Sequence, residues 1–176
     1  VYIKDYCKSG ELFIDLKLWD TPNTIDTVLQ KIVDKGATMT TISTLNNEAV
    51  FEAVSKYSNQ IKLLGVTYLT SWNSADLQNI INQNALVMWR ENILRIMPYK
   101  FAGMICSAKD ISTVNAIAPN MIKVCPGIGS NTGQQRTTTP KQAVDMGADY
   151  LILGRTITQA INPIEEINNI RNSLSA

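Results

Sequence analysis

Three charged residues, Asp15, Lys17 and Asp20, interrupt the apolar stretch FIDLKLWDTPNT at residues 13–24. In a strand, side chains two positions apart project from the same face, so we expect Asp15 and Lys17 to point together. A lysine held beside carboxylates is a preorganised cation that can stabilise developing negative charge and donate a proton. Because burying a charge is costly unless it is paired or used, the pattern predicts a buried strand with a chemical role. The alternative is an exposed edge strand that carries an ordinary ion pair.

A second group of residues suits the binding of phosphate. The segment PGIGSNTGQQRTTTP, residues 126–140, leaves a predicted strand through glycines, and LGRTI, residues 153–157, ends the last predicted strand. Glycine-rich loops expose backbone N–H groups to a phosphate, and the planar fork of arginine holds a pair of phosphate oxygens. We therefore predict a phosphate site that uses Gln134, Gly154 and Arg155. In the alternative, the glycines only form tight turns and Arg155 is solvated.

Four further polar residues are candidates for contacts to a substrate. Thr70 and Ser71 follow a predicted strand, where they suit the edge of a base or sugar or the cap of the next helix. Asn23 and Thr24 are open to the same two interpretations, since Asn23 is a good N-cap for the helix that follows it.

The composition predicts one globular domain over residues 1–176. With 45% hydrophobic residues and a formal net charge of +1, neither nucleic acid nor a membrane is expected as a partner. We find no apolar run that could span a bilayer and no signal peptide. Histidine is absent, which removes the usual base of serine and cysteine triads, and without a CxxC pair we expect no metal site. Cys7, Cys106 and Cys125 are widely spaced, which indicates reduced thiols in a cytoplasmic protein.

Short apolar runs alternate with longer amphipathic segments, which predicts an α/β fold with a parallel sheet covered by helices. A TIM (β/α)8-type barrel has eight βα units and about 250 residues, whereas six units are visible here. We therefore predict a single incomplete barrel domain that contains strands three to eight and lacks the first two βα units. Residues 1–10 are expected to be the tail of an earlier helix.

A doubly wound sheet is the alternative fold, but no GxGxxG turn follows any strand, and polar residues cluster at the strand ends as in a barrel. Gly36 and Gly147 are expected to be left-handed helix caps. The predicted strands are 12–18, 39–44, 61–69, 101–107, 121–128 and 150–155, and the predicted helices are 24–35, 47–57, 74–96, 108–117, 140–146 and 163–174.

The order of these motifs resembles the orotidine 5'-phosphate decarboxylase family. DLKLWDTPNT is similar to that family's DxKxxDIPNT signature, with Thr21 in place of the usual Ile. The segments GVTYLTS, ICSA, PGI, TP, GADYLILGRTIT and NP follow in the family's order and approximate spacing. The resemblance therefore covers nearly the whole chain.

The resemblance implies a cofactor-free lyase that converts orotidine 5'-monophosphate to UMP in pyrimidine biosynthesis and acts as a homodimer. By the same resemblance, Asp15 lies against the substrate carboxylate and Lys17 stabilises and protonates the carbanion at C6. Asp20 then reaches into the site of the neighbouring subunit. A ribose-binding Asp and a second Lys of the family are not found in this sequence, and Gly129 stands where many bacterial members have Arg.

The resemblance also assigns the substrate-binding residues. Thr70 matches the position that contacts the pyrimidine or ribose, and Asn23 and Thr24 belong to the signature segment. The phosphate is assigned to Gln134, Gly154 and Arg155.

Two other functions stay open. Sugar-phosphate decarboxylases and hexulose-phosphate synthases share the barrel, the DxKxxD motif and the phosphate loops but use a metal, and the PNT sequence after Asp20 argues against them. The chain could instead be an inactive fragment that only binds nucleotide phosphate or associates through exposed sheet edges.

Overall fold

The computed structural model describes residues 10–69, 71–82, 84–129 and 138–175, which divide into two compact units. Unit 1 comprises Val1–Thr67 and Arg90–Met104, and unit 2 comprises Tyr68–Trp89 and Ile105–Ala176. Within the described residues the strands are β1 (Phe13–Leu18), β2 (Met39–Ser43), β3 (Lys62–Val66), β4 (Gly103–Ile105), β5 (Ile122–Cys125) and β6 (Tyr150–Leu151). The α-helices there are α1 (Pro22–Asp34), α2 (Glu48–Ser55), α3 (Ser74–Ile81), α4 (Ala85–Ile96), α5 (Ile111–Ile117), α6 (Pro140–Asp145), α7 (Arg155–Thr158) and α8 (Pro163–Ser175).

Unit 1 is built on the parallel strands β1, β2 and β3. The start of β4 continues this order, since Ala102 N–H donates to Leu63 O at 2.9 Å. Burial of each large apolar side chain contributes about 1.5–3 kcal/mol, so the apolar core is the main source of stability. The fully buried side chains of this core include Ile25, Leu29, Ile42, Phe51, Leu63 and Leu64.

Unit 2 contains the end of β4 together with β5 and β6. Cys106 N–H, directly after β4, donates to Val124 O at 3.1 Å, and β5 pairs in parallel with β6. Within each unit the strands therefore follow one another in chain order without a reversal. This order is typical of a barrel, whereas a doubly wound sheet reverses its strand order at one point.

Proline and glycine set the ends of α1. The helix begins at Pro22, whose fixed φ suits the first helical position, so its N-cap is Thr21. The interpretation of Asn23 as the N-cap is therefore wrong. The left-handed caps predicted at Gly36 and Gly147 are confirmed, with φ of 77° and 99°.

The helix predicted at 74–96 is in fact two helices, α3 and α4. Asn82 adopts a left-handed φ of 56° and ends α3. Asn84 then caps α4, because its side-chain oxygen accepts from Val87 N–H at 2.9 Å. A run of short polar residues thus interrupts an amphipathic pattern that otherwise continues.

All six described strands are shorter than predicted, and for two of them the reason is local. The ladder of β5 ends at Cys125, before Pro126, which has no N–H to donate. β6 consequently pairs only over Tyr150–Leu151, and Arg155 begins a helix instead of ending the predicted strand 150–155.

The predicted tail of an earlier helix, residues 1–10 with Cys7, lies outside the described residues except for Gly10. No helix in the described ranges is both long and apolar enough to cross a membrane.

Candidate active site

The charged residues of β1 lie on a β-bulge. The register of β1 against β2 shifts between Ile14 and Leu18, so residues 15–17 stand opposite the single residue Thr41. Lys17 adopts a left-handed backbone conformation with φ of 47°. In a residue other than glycine this conformation costs about 1–2 kcal/mol.

Thr41 connects the two charged residues of the bulge. Its hydroxyl donates to Asp15 Oδ1 at 2.7 Å and accepts from Lys17 N–H at 2.7 Å. The Lys17 ammonium donates to Asp15 Oδ2 at 2.5 Å. Thr41, which has no exposed surface, therefore links the backbone of Lys17 to the carboxylate of Asp15. The same carboxylate pairs with the Lys17 side chain.

The strand is exposed, so the prediction of a buried strand is wrong. The side chains of Lys17 and Asp15 retain 43% and 39% of their accessible surface, and Leu16 and Trp19 are also exposed. The physical reason is that, in the described part of the chain, β1 is an edge strand paired only with β2. An exposed ion pair contributes about 0–1 kcal/mol, no more than the left-handed backbone costs. Stability therefore does not explain the bulge, and strain of this kind is typical of functional sites.

The other predicted residues of the signature segment lie at the start of α1. The Asp20 carboxylate accepts from Thr21 N–H at 2.6 Å, and the hydroxyls of Thr21 and Thr24 are 3.0 Å apart. The backbone oxygen of Asn23 accepts from the Thr27 hydroxyl at 2.9 Å, and Asn23 is exposed. Asp20 and Thr24 are exposed as well, so the segment presents three polar side chains to solvent.

Two residues that the sequence analysis missed fix the carboxyl end of β1. The Asn46 amide donates to Leu18 O and Ser43 O, both at 2.9 Å. Arg95 donates to Thr44 O at 3.1 Å and to Asn46 O at 2.8 Å. Apart from the local bond to Ser43, these contacts join residues 28 to 51 positions apart, and a local sequence pattern carries no signal for them.

In unit 2, the turn after β5 is closed by backbone contacts. Gly129 N–H donates to Thr138 O at 3.0 Å, and Thr138 N–H donates to Gly127 O at 3.3 Å. Gly129 has φ of 106°, and a Cβ there would lie 2.1 Å from Thr156 Oγ1. The Thr156 hydroxyl also donates to Ile128 O at 3.1 Å. The turn after β5 thus packs against the helix that follows β6, with space only for glycine.

Gly154 and Arg155 lie side by side after β6. Gly154 is the N-cap of α7, with a negative φ of −78°, and a Cβ there would meet nothing within 4 Å. Glycine is therefore not required at this position by the packing of the protein. The Arg155 side chain is exposed, and an open backbone position beside an exposed guanidinium suits the binding of an oxyanion.

Thr70 and Gln134, two of the predicted substrate contacts, lie outside the described residues.

The two described cysteines are buried free thiols in unit 2, as the sequence analysis predicted for reduced cysteines. A hydrogen bond to Cys125, together with burial, raises the pKa of the Cys106 thiol far above its usual range. A thiol held neutral in this way is a poor nucleophile, so Cys106 is not a candidate for covalent catalysis.

Comparison with solved structures defines the fold class. The crystal structure of orotidine 5'-phosphate decarboxylase from Lactobacillus acidophilus matches with a TM-score of 0.82 at 25% sequence identity. The match covers 98% of this chain and 79% of that chain. The predicted fold class is confirmed: the six βα units belong to an α/β fold of the TIM-barrel type.

Comparison of sequences identifies the family. The chain is 36% identical over 186 residues to orotidine 5'-phosphate decarboxylase of Vibrio cholerae, a match that covers 96% of this chain and 79% of that protein. It is 34% identical over 178 residues to the enzyme of the same name from Psychromonas ingrahamii, covering 95% and 76% of the two chains. Residues 2–170 match the sequence model of the orotidine 5'-phosphate decarboxylase / HUMPS family, and the chain belongs to this family.

Proposed function

We propose that this chain is a carboxy-lyase that converts orotidine 5'-monophosphate to UMP, a step of pyrimidine biosynthesis, without a metal or cofactor. The observation that carries the proposal is the strained bulge of β1, which presents Asp15 and Lys17 as an exposed ion pair. This bulge falls in the segment that resembles the family signature. The relatives above 30% identity are named for the same activity.

Lys17 is the residue to which we assign the chemistry. Breaking the bond between C6 and the carboxylate releases CO2 and leaves its electron pair on C6. A positioned ammonium stabilises this developing negative charge and then donates the proton that replaces CO2. The 2.5 Å contact with Asp15 supports this role, since it holds the ammonium in one orientation.

Asp15 and Asp20 complete the proposed charge network. We assign Asp15 to a position against the substrate carboxylate, where two like charges raise the energy of the bound substrate. We assign Asp20 to the site of a second subunit in a homodimer, a role that suits its exposure directly after β1. Asn23 and Thr24 are proposed substrate contacts in the same exposed turn, and Thr70 is a further proposed contact.

Gly154 and Arg155 are the proposed phosphate ligands, with Gln134 as a third. Their support is the open backbone at Gly154 beside the exposed guanidinium of Arg155. Binding energy gained at the phosphate, remote from C6, lowers the barrier at the reacting ring when it is realised in the transition state.

The direct test follows the loss of orotidylate absorbance with the purified full chain. Turnover that survives EDTA and is lost in Lys17→Met is the expected result, because methionine keeps most of the length of lysine without its ammonium group. Full activity in Lys17→Met would overturn the catalytic assignment. Loss of activity in EDTA, restored by a divalent cation, would overturn the metal-free reaction.

Ligand-induced stabilisation separates the alternatives within the family. A ligand at about 100 times its Kd adds about 2.7 kcal/mol to the free energy of unfolding, which raises the melting temperature by several degrees. We expect this rise with UMP and none with ribulose 5-phosphate plus magnesium. The reverse result would favour a hexulose-phosphate synthase, and stabilisation by UMP without turnover would leave only nucleotide binding.

A further inference from the structure

We propose that Thr41 is a positioning residue for the reaction: its buried hydroxyl holds the bulge of β1 so that Lys17 and Asp15 keep their catalytic arrangement. The inference rests on the proposed decarboxylation and deepens it. It assigns a role to a residue on β2, outside the charged signature segment.

The evidence is that the hydroxyl group of Thr41 makes two hydrogen bonds to the bulge. A threonine hydroxyl has one hydrogen to donate, and here it is donated to Asp15 Oδ1 at 2.7 Å. One of its lone pairs accepts from Lys17 N–H at 2.7 Å. The same group therefore orients the carboxylate and fixes the backbone from which the lysine side chain extends.

The bulge gives this contact its importance. Because residues 15–17 stand opposite Thr41 alone, the register of β1 is interrupted at Lys17, whereas β2 and β3 pair without a break over five residue pairs. The left-handed φ of Lys17 must therefore be maintained by a specific local contact. Thr41 supplies one and has no exposed surface, so water competes poorly for its hydroxyl.

Thr40 provides a matched control on the same strand. It also has no exposed surface, and its hydroxyl also reaches β1, donating to Ile14 O at 2.8 Å. This hydrogen bond involves neither Asp15 nor Lys17. Thr40→Val therefore removes an equally buried hydroxyl that bonds to β1 without touching Asp15 or Lys17.

The first measurement is steady-state turnover of orotidine 5'-monophosphate. Thr41→Val is expected to lower kcat about 10- to 100-fold with KM changed less than about threefold, since the lost contact orients the group that acts in the transition state. Thr41→Ser, which keeps the hydroxyl, is expected to retain kcat within about threefold. Thr40→Val should behave like the wild type. Equal losses in Thr41→Val and Thr40→Val, or no rescue by Thr41→Ser, would overturn the proposal.

The second measurement is hydrogen exchange of the Lys17 amide, which needs no activity. Loss of its hydrogen bond in Thr41→Val should speed exchange of this amide about tenfold, the equivalent of one ordinary hydrogen bond, while Thr41→Ser and Thr40→Val leave it protected. Thr41→Ala, which also lacks the hydroxyl, should match Thr41→Val and replaces it if the valine variant does not fold. An amide equally protected in the variants without the hydroxyl would contradict the assignment. If the wild type has no turnover, the proposed function fails, and the exchange rates alone decide whether Thr41 fixes Lys17.

Discussion

Lys17 and Gly129 both adopt a left-handed backbone conformation beside a strand end, but for opposite reasons. At Gly129 the φ is 106° and a Cβ would collide with the Thr156 hydroxyl, so the position has no space for a side chain. At Lys17 the φ is 47° and the side chain is exposed, so glycine would fit at lower cost. At Gly129 the left-handed conformation accompanies close packing. At Lys17 packing does not require it, which indicates that the side chain itself is needed.

Replacement of Lys17 tests this contrast with the largest expected effect. Lys17→Met and Lys17→Gly should each lower kcat at least about 10³-fold, because both remove the proton donor and the cation. Lys17→Gly should also raise the free energy of unfolding by about 0.5–1 kcal/mol, because glycine adopts the left-handed conformation without strain. Absorbance assays and urea denaturation measure the two effects. A less stable Lys17→Gly would show that the lysine side chain is held for structural reasons.

Replacement of Gly129 tests the other half of the comparison. Gly129→Ala should lower the free energy of unfolding by about 2–4 kcal/mol, because the new methyl group meets Thr156 and the left-handed backbone becomes strained. Gly154→Ala is the matched control and should change stability by less than about 0.5 kcal/mol, since its Cβ meets nothing within 4 Å. Urea denaturation midpoints measure the change in stability of the two variants. Similar stability of both variants would mean that the turn after β5 has room for a side chain.

The buried thiols of Cys106 and Cys125 in unit 2 contrast with the exposed ion pair of Asp15 and Lys17. The hydrogen bond that the Cys106 thiol donates to Cys125, together with burial, raises the pKa of Cys106 and keeps its thiol protonated at neutral pH. We expect iodoacetamide to modify Cys106 at least about 100-fold more slowly in the native protein than in urea. Peptide mass spectrometry follows the modification of each cysteine separately. Equal rates in the native and unfolded protein would show that this strand end opens readily.

The sequence predicted the fold well because the fold depends on periodicity and on glycine and proline. Alternating apolar runs identified all six strands that the structure describes, and the caps at Gly36 and Gly147 followed from local backbone chemistry. The break between α3 and α4 was missed because the amphipathic pattern continues across it, although Asn82 and Asn84 are residues that favour helix ends.

The contact between Asp15 and Lys17 was predicted, but its environment was not. The spacing of Asp15 and Lys17 indicated that they meet, and they do, but on an exposed bulge instead of a regular buried strand. The contribution of Thr41 was invisible because a threonine in an apolar strand is typical of strand propensity alone. Contacts that depend on a register shift between two strands have no local signature, and Asn46 was missed for the same reason.

The ion pair of Lys56 and Asp26 in unit 1 is expected to affect stability and not turnover. Its replacement is the prediction with the smallest expected effect. Lys56 Nζ lies 2.6 Å from Asp26 Oδ1, which also accepts from the Tyr57 hydroxyl at 2.9 Å. These hydrogen bonds hold the pKa of Asp26 below its ordinary value of 3.8, the contact with Lys56 having the larger effect. Because the unfolded chain binds this proton at higher pH, the stabilisation is complete above the ordinary pKa and is lost as pH falls through the lower, folded value.

Asp26→Asn should therefore flatten the loss of stability on acidification from about pH 5 to about pH 2, with turnover at neutral pH unchanged. Chemical denaturation across this pH range, paired with the absorbance assay, measures both. The variant removes a carboxylate from an exposed pair, as Asp15→Asn does at the bulge, yet only Asp15→Asn should abolish activity. An Asp26→Asn variant that loses turnover, or whose acid sensitivity equals that of the wild type, would show that the two ion pairs do not divide between structure and chemistry.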